Sequence, residues 1–324
     1  MNLLTSGETL SNNRVAGLSM KGGRRDNFFF CLLDHFEDGD RWFLKSVLQV
    51  QDDDEVEDGD DAIRTWIEKF EVDNVVIDFP LSHPACHDCE IDCPGINKCP
   101  VYEVSHVQKE AQAILDKDEE LQRTNPKHYE RERNIDDLFD YGRDIFEKWP
   151  VEHLLSRSFK RRLKKGFIPY WNRTLDFWVW CFYHDQLLNL FKTTFDSFGN
   201  TSLMILSRFS YMKRHFPKSL NMFEGNVNLT LIELIRSKTL LKKNIQNMSD
   251  LDLGVEARLD IIKKVENKLN IFIYDNDLEV LVKNPRAFDS FLLAIAGQRK
   301  LLNKTIDIPD WTRPEKTKFI LPYF

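Results

Sequence analysis

The stretch Val75-Val76-Ile77-Asp78-Phe79-Pro80 constrains this chain most. It is short, almost wholly apolar, and ends in one acid and a proline. That is the profile of a strand buried on both faces, with a polar residue at its C-terminal edge. A strand of that kind needs layers on both sides of its sheet, so the expected fold class is α/β. The preceding residues agree. Val15, Ala16 and Leu18 mark a first strand, Gly22-Gly23 a turn, residues 28–33 an aromatic second strand, and Trp42, Phe43, Leu44, Val47, Leu48 and Val50 a third. Ile63, Trp66, Ile67 and Phe70 then repeat at helical spacing. The order read is strand, strand, strand, helix, strand.

Beyond residue 104 the pattern changes. Residues 105–217 show several helical periodicities and no convincing strand, which reads as a helical insertion. Within it the aromatic segment 171–198, with Trp178, Trp180, Phe182 and Tyr183, reads as helix core. Alternation returns with Leu220, Met222 and Phe223, a short strand ending at Glu224. Helices are expected over residues 229–235, 255–269 and 285–302. The chain thus divides into 1–82 and 218–324 as two parts of one core, 83–104 as a cysteine-rich loop, and 105–217 as the insertion.

That loop is the strongest local signal. Cys86, Cys89, Cys93 and Cys99 follow C-x2-C-x3-C-x5-C, with His83 and His87 adjacent and Pro94-Gly95 in the bend. Four thiolates so spaced can converge on one soft ion. Structural zinc is the first expectation; an iron–sulfur cluster, suggested by Cys93-Pro94 and Cys99-Pro100, and a loop without metal are the alternatives. A zinc shell of four thiolates is closed, so its role would be to order the loop rather than to activate water. Cys31 and Cys181 read as packing residues.

Charge separates along the chain. The net charge is −7, and the run of acids from Asp52 to Asp61 supplies much of it; such a run is read as a solvated segment. Lys160, Arg161, Arg162, Lys164 and Lys165 precede Phe167, Tyr170 and Trp171, which suits either a solvated helix face or a nucleic-acid contact. Residues 1–13 lack the apolar run of a secretory signal, and no apolar stretch reaches bilayer length. No membrane partner is expected, and the location expected is cytoplasmic, where thiols stay reduced and a disulfide pairing is disfavoured.

The strand-turn-strand start, Val-Ile-Asp78-Phe-Pro-Leu-Ser, Phe223-Glu224-Gly-Asn, the helix Ala287-Phe288-Asp289-Ser and the ending Phe319-Ile-Leu-Pro322 occur in an order that resembles the DUF429 family, nucleases of the ribonuclease-H-like fold. Arg173-Thr-Leu-Asp176 is similar to an Arg/Asp segment of that family. The resemblance covers the two ends of the chain, about half its length, and omits the cysteine loop and most of the insertion. It implies a mixed five-stranded sheet with flanking helices. It also implies divalent-metal-dependent phosphodiester hydrolysis, with Asp78, Glu224 and Asp289 as catalytic carboxylates for magnesium or manganese and nucleic acid as partner. One position departs from the pattern. The first strand reads Gly17-Leu18-Ser19 where the family carries Gly-hydrophobic-Asp, so the acid that ordinarily bridges two metals is a serine; Asp26 is the nearest substitute in sequence. The alternative function is a binding or structural protein that keeps this fold without its catalysis.

Overall fold

A computed structural model describes residues 14–20, 28–36, 39–50, 59–87, 89–133, 157–193, 203–248, 250, 253–312 and 318–324. The Gly22-Gly23 turn, Asp26 and most of the acidic run lie outside them.

The sheet has six strands. They are β1 (Arg14–Ser19), β2 (Phe28–Phe36), β3 (Arg41–Val50), β4 (Asn74–Ile77), β5 (Asn221–Glu224) and β6 (Ile271–Phe272), in the spatial order β5-β4-β1-β2-β3-β6. Strands β1, β2 and β3 form an antiparallel meander, while β4 runs parallel to β1 and β5 parallel to β4. The five-stranded expectation is corrected by β6, two residues that pair in parallel with Trp42 and Phe43. So short a strand has no period to read in the sequence.

Alternation places each strand between two apolar layers, because successive side chains leave opposite faces of a pleated strand. On β2, Phe29, Cys31 and Leu33 enter one core while Phe28, Phe30 and Leu32 enter the other. The smaller layer is closed by α1 (Gly59–Lys69) through Ile63 and Ile67 and by α6 (Leu203–Met212) through Phe209. The larger layer takes α7 (Val227–Arg236), α9 (Leu253–Leu269), α10 (Asp275–Lys283) and α11 (Pro285–Leu301), and also α5 (Thr174–Phe191) of the insertion. The aromatic segment is core there, with Phe177, Trp178, Trp180 and Tyr183 buried. The remaining helices are α2 (Tyr102–Thr124), α3 (Pro126–Arg133), α4 (Arg157–Lys164) and the short α8 (Lys242–Gln246). No strand occurs among the described residues of 105–217. No described helix is long and apolar enough to cross a membrane.

Helix α11 lies directly on β1. A Cβ on Gly17 would stand 2.0 Å from the Ser290 carbonyl oxygen and 2.5 Å from the Ala294 nitrogen, and one on Gly297 would stand 2.3 Å from Val15 Cγ2. These two glycines let helix and strand backbones meet. They also fix polarity: the first turns of α11 lie toward the Ser19 end of β1, the same sheet edge at which β4 leads into Asp78 and β5 ends in Glu224.

Candidate functional site: the carboxyl edge of the sheet

Parallel strands β1, β4 and β5 finish together at this edge, the place where open α/β sheets carry ligands. Ser19 and Asp78, the residues at the ends of β1 and β4, are in contact. The Ser19 hydroxyl donates to Asp78 Oδ2 at 2.8 Å, and the Met20 amide donates to Asp78 Oδ1 at 3.0 Å. Ser19 is fully buried and Asp78 nearly so. The position at which the resemblance implies a second acid is therefore a hydrogen-bond donor to the first.

Glu224 is engaged more completely. Arg173 Nη1 and Nη2 donate to its Oε2 and Oε1 at 2.7 and 2.8 Å, and the Leu81 amide adds a bond of 3.0 Å to Oε2. The same guanidinium reaches Asp176 through Nε and Nη2 and donates from Nη1 to Ser82 Oγ at 3.3 Å. Arg173 and Asp176 come together because Arg173 stands just ahead of α5. At the third helical position the Asp176 carboxylate accepts the Arg173 backbone N–H at 2.8 Å, satisfying a helix-terminal amide. Glu224 arrives from the opposite side, held at the end of β5 by backbone bonds from Gly225 to Ile77 and between Glu224 and residues 318 and 320.

The electrostatics follow from burial and pairing. Burial opposes the Arg173 charge, but Asp176 and then Glu224 outweigh it and hold the guanidinium protonated, with its pKa above the ordinary arginine value. Burial pushes the Glu224 carboxyl up from its usual range, and Arg173 and the Leu81 amide pull it back. One internal cation thus serves two carboxylates.

Asp289 stands apart from this network. Its carboxylate pairs with Arg286 one turn earlier at 3.0 Å and lies within electrostatic reach of Arg258. Among the described residues no three or more His, Cys, Asp or Glu side chains are grouped to hold a metal ion. Asp78, Glu224 and Asp289 all belong to elements that end or begin at one sheet edge, and each carboxylate meets protein donors. The residue that sequence reasoning left without a role is Arg173. Its signal was the i, i+3 spacing to Asp176 ahead of an apolar helix, which says how a helix starts but not what the free end of the guanidinium will meet.

The cysteine loop leaves the same edge. Cys86, Cys89 and Cys99 are partly buried, Cys93 is exposed, and all four are free thiols. They do not form the gathered four-thiolate shell expected from their spacing. Cys31 is buried as expected, and Cys181 is partly buried. The Cys86 amide donates to the Pro169 carbonyl at 3.1 Å, joining the loop to the turn that follows α4. On that turn Tyr170 and Trp171 are 66% and 51% exposed, and Arg161, Lys164 and Lys165 are exposed beside them in sequence. Lys160 does not belong to this basic surface: it is buried, with its ammonium on Asp118 and near Tyr129.

Compared with known protein families, with curated proteins and with solved structures, the chain matches none.

Proposed function

We propose that this chain is a ribonuclease-H-like scaffold that has exchanged metal-dependent hydrolysis for binding, with single-stranded nucleic acid as the partner and the cysteine loop in a structural role. The fold reading is supported by the central β1 beside β4, the acid that ends β4 and the terminal helix lying on β1.

One observation carries the loss of hydrolysis. Arg173 grips Glu224 with two parallel bonds. A two-cation mechanism needs carboxylate oxygens free to neutralise paired metals and to hold them near the attacking and leaving oxygens. Here the Glu224 oxygens accept from Arg173 and the Leu81 amide, Asp78 accepts from Ser19 and the Met20 amide, and Ser19 supplies no charge. The partner is read from the end of α4 and the turn after it, where exposed cations are followed closely in sequence by exposed aromatic rings. Cations track a phosphate backbone, and rings stack unpaired bases without regard to sequence.

The test pairs two assays on the full chain. Mixed single- and double-stranded DNA and RNA, with magnesium or manganese, are expected to stay intact. Fluorescence anisotropy with a single-stranded oligonucleotide is expected to show binding that weakens with salt and falls in Trp171→Ala and in Lys164→Glu/Lys165→Glu. Metal-dependent cleavage that disappears in Asp78→Asn would overturn the reading, as would binding insensitive to both surface variants.

A further inference from the structure

The segment joining β4 to α2 poses a physical problem that the sheet edge does not resolve. Between Phe79 and Tyr102 no described residue is buried, and the only regular structure among the described residues is a single 3-10 turn at Ile96–Lys98. Ordering a backbone costs about 1–2 kcal/mol per residue, normally offset by burial. This segment has little burial to offer: Leu81 packs against the smaller core, and the other described residues are half-buried or exposed. Besides the Leu81 amide bond to Glu224 and the Cys86 bond to Pro169, its backbone is held by local turns, His87 to Pro84, Lys98 to Gly95 and Cys99 to Ile96, and by the Gln108 side chain on the Ile96 carbonyl. Small units that cannot build a core of their own are commonly held by disulfides or a structural metal.

The residues for one are present. Four of the six cysteines fall here, all free, and Cys86 is within electrostatic reach of Cys89, Cys99 and Cys93. Gly95 takes φ of 89°, a left-handed conformation that lets the chain turn back between Cys93 and Cys99. We infer that Cys86, Cys89, Cys93 and Cys99 close on one zinc ion as a structural cross-link of this loop. The inference goes beyond the binding reading and stands whether or not that reading holds.

Soft thiolates select zinc over the hard cations that suit carboxylates. Metal-binding energy in a loop without a core of its own is also folding energy, so zinc affinity is loop stability. Four thiolates fill a tetrahedral shell and leave no position for water, so the ion does no hydrolysis. Its effect passes instead through the Cys86–Pro169 bond to the turn that presents Tyr170 and Trp171.

The experiment uses the full chain purified without chelator under anaerobic conditions. Elemental analysis is expected to give about one zinc per chain. Cobalt substituted for zinc should show the thiolate charge-transfer band and the intense visible absorption of a tetrahedral tetrathiolate site. Thiol titration should find four more reactive cysteines after chelation than before. Cys93→Ser, an exposed position whose change leaves the core intact, should lose the tetrathiolate spectrum. Three results would overturn the inference: a weak octahedral cobalt spectrum, thiol reactivity unchanged by zinc, or stoichiometric iron and sulfide in place of zinc. None of these readouts involves nucleic acid, so this inference and the binding reading fail separately.

Discussion

Removing Arg173 while keeping Glu224 strands a carboxylate in a dry site. Breaking a buried pair from one side costs about 3–5 kcal/mol, because the remaining charge has lost its partner. Arg173→Met is therefore expected to lower unfolding free energy in urea by about that much. Arg173→Met combined with Glu224→Gln should recover a good part of the loss. If the double variant is as unstable as the sum of the two single ones, the pair does not act as a unit. His184 gives a second residue-level expectation. It is buried between Phe159 and Trp180, with ring centroids 4.8 and 4.7 Å away, and burial lowers its pKa to about 4 from 6.5. Above pH 6.5 it is neutral in both folded and unfolded chains and costs no stability. Between pH 6.5 and about 4 only the unfolded chain takes up the proton, so stability falls across that window and levels off below it. The loss attributable to this histidine is roughly 3 kcal/mol. Thermal unfolding measured from pH 7 to pH 4 should show it, and His184→Leu should flatten that part of the profile.

The contact between α11 and β1 is the element on which the sheet edge depends. Gly17 belongs to the first-strand motif, and its reason is steric: any Cβ there meets the backbone of α11, which cannot rotate aside as a side chain can. Gly17→Ala is expected to cost about 3 kcal/mol or more and to loosen α11, seen as faster amide exchange along residues 288–296. Unchanged exchange there would mean the helix is held by other contacts. The strands β1 and β4, the helices near the C-terminus and the strand ending at Glu224 were legible in the sequence because each carries its own period and ends at a polar or turn residue. The short β6 was not, and neither was the role of Arg173. The first has too few residues for a period; the second depends on a partner 51 positions away, which no local pattern encodes. The cysteine spacing was legible as a motif, but it does not dictate the positions of the thiols in a loop without a core.

At the scale of the molecule, the insertion and the sheet are built as one object. Helix α5 lies in the larger apolar layer, and its N-terminal Arg173 reaches across to the end of β5. The helical middle therefore does more than decorate the sheet: it supplies the cation that pairs with the acid at the end of β5. That this pairing stands in place of a bound metal is the central proposal, and manganese binding tests it most directly. Titration of the full chain with manganese, followed by electron paramagnetic resonance, is expected to show no site that depends on Asp78 or Glu224, and Asp78→Asn should leave the titration unchanged. A site that holds manganese in the unaltered protein and vanishes in both Asp78→Asn and Glu224→Gln would contradict the account.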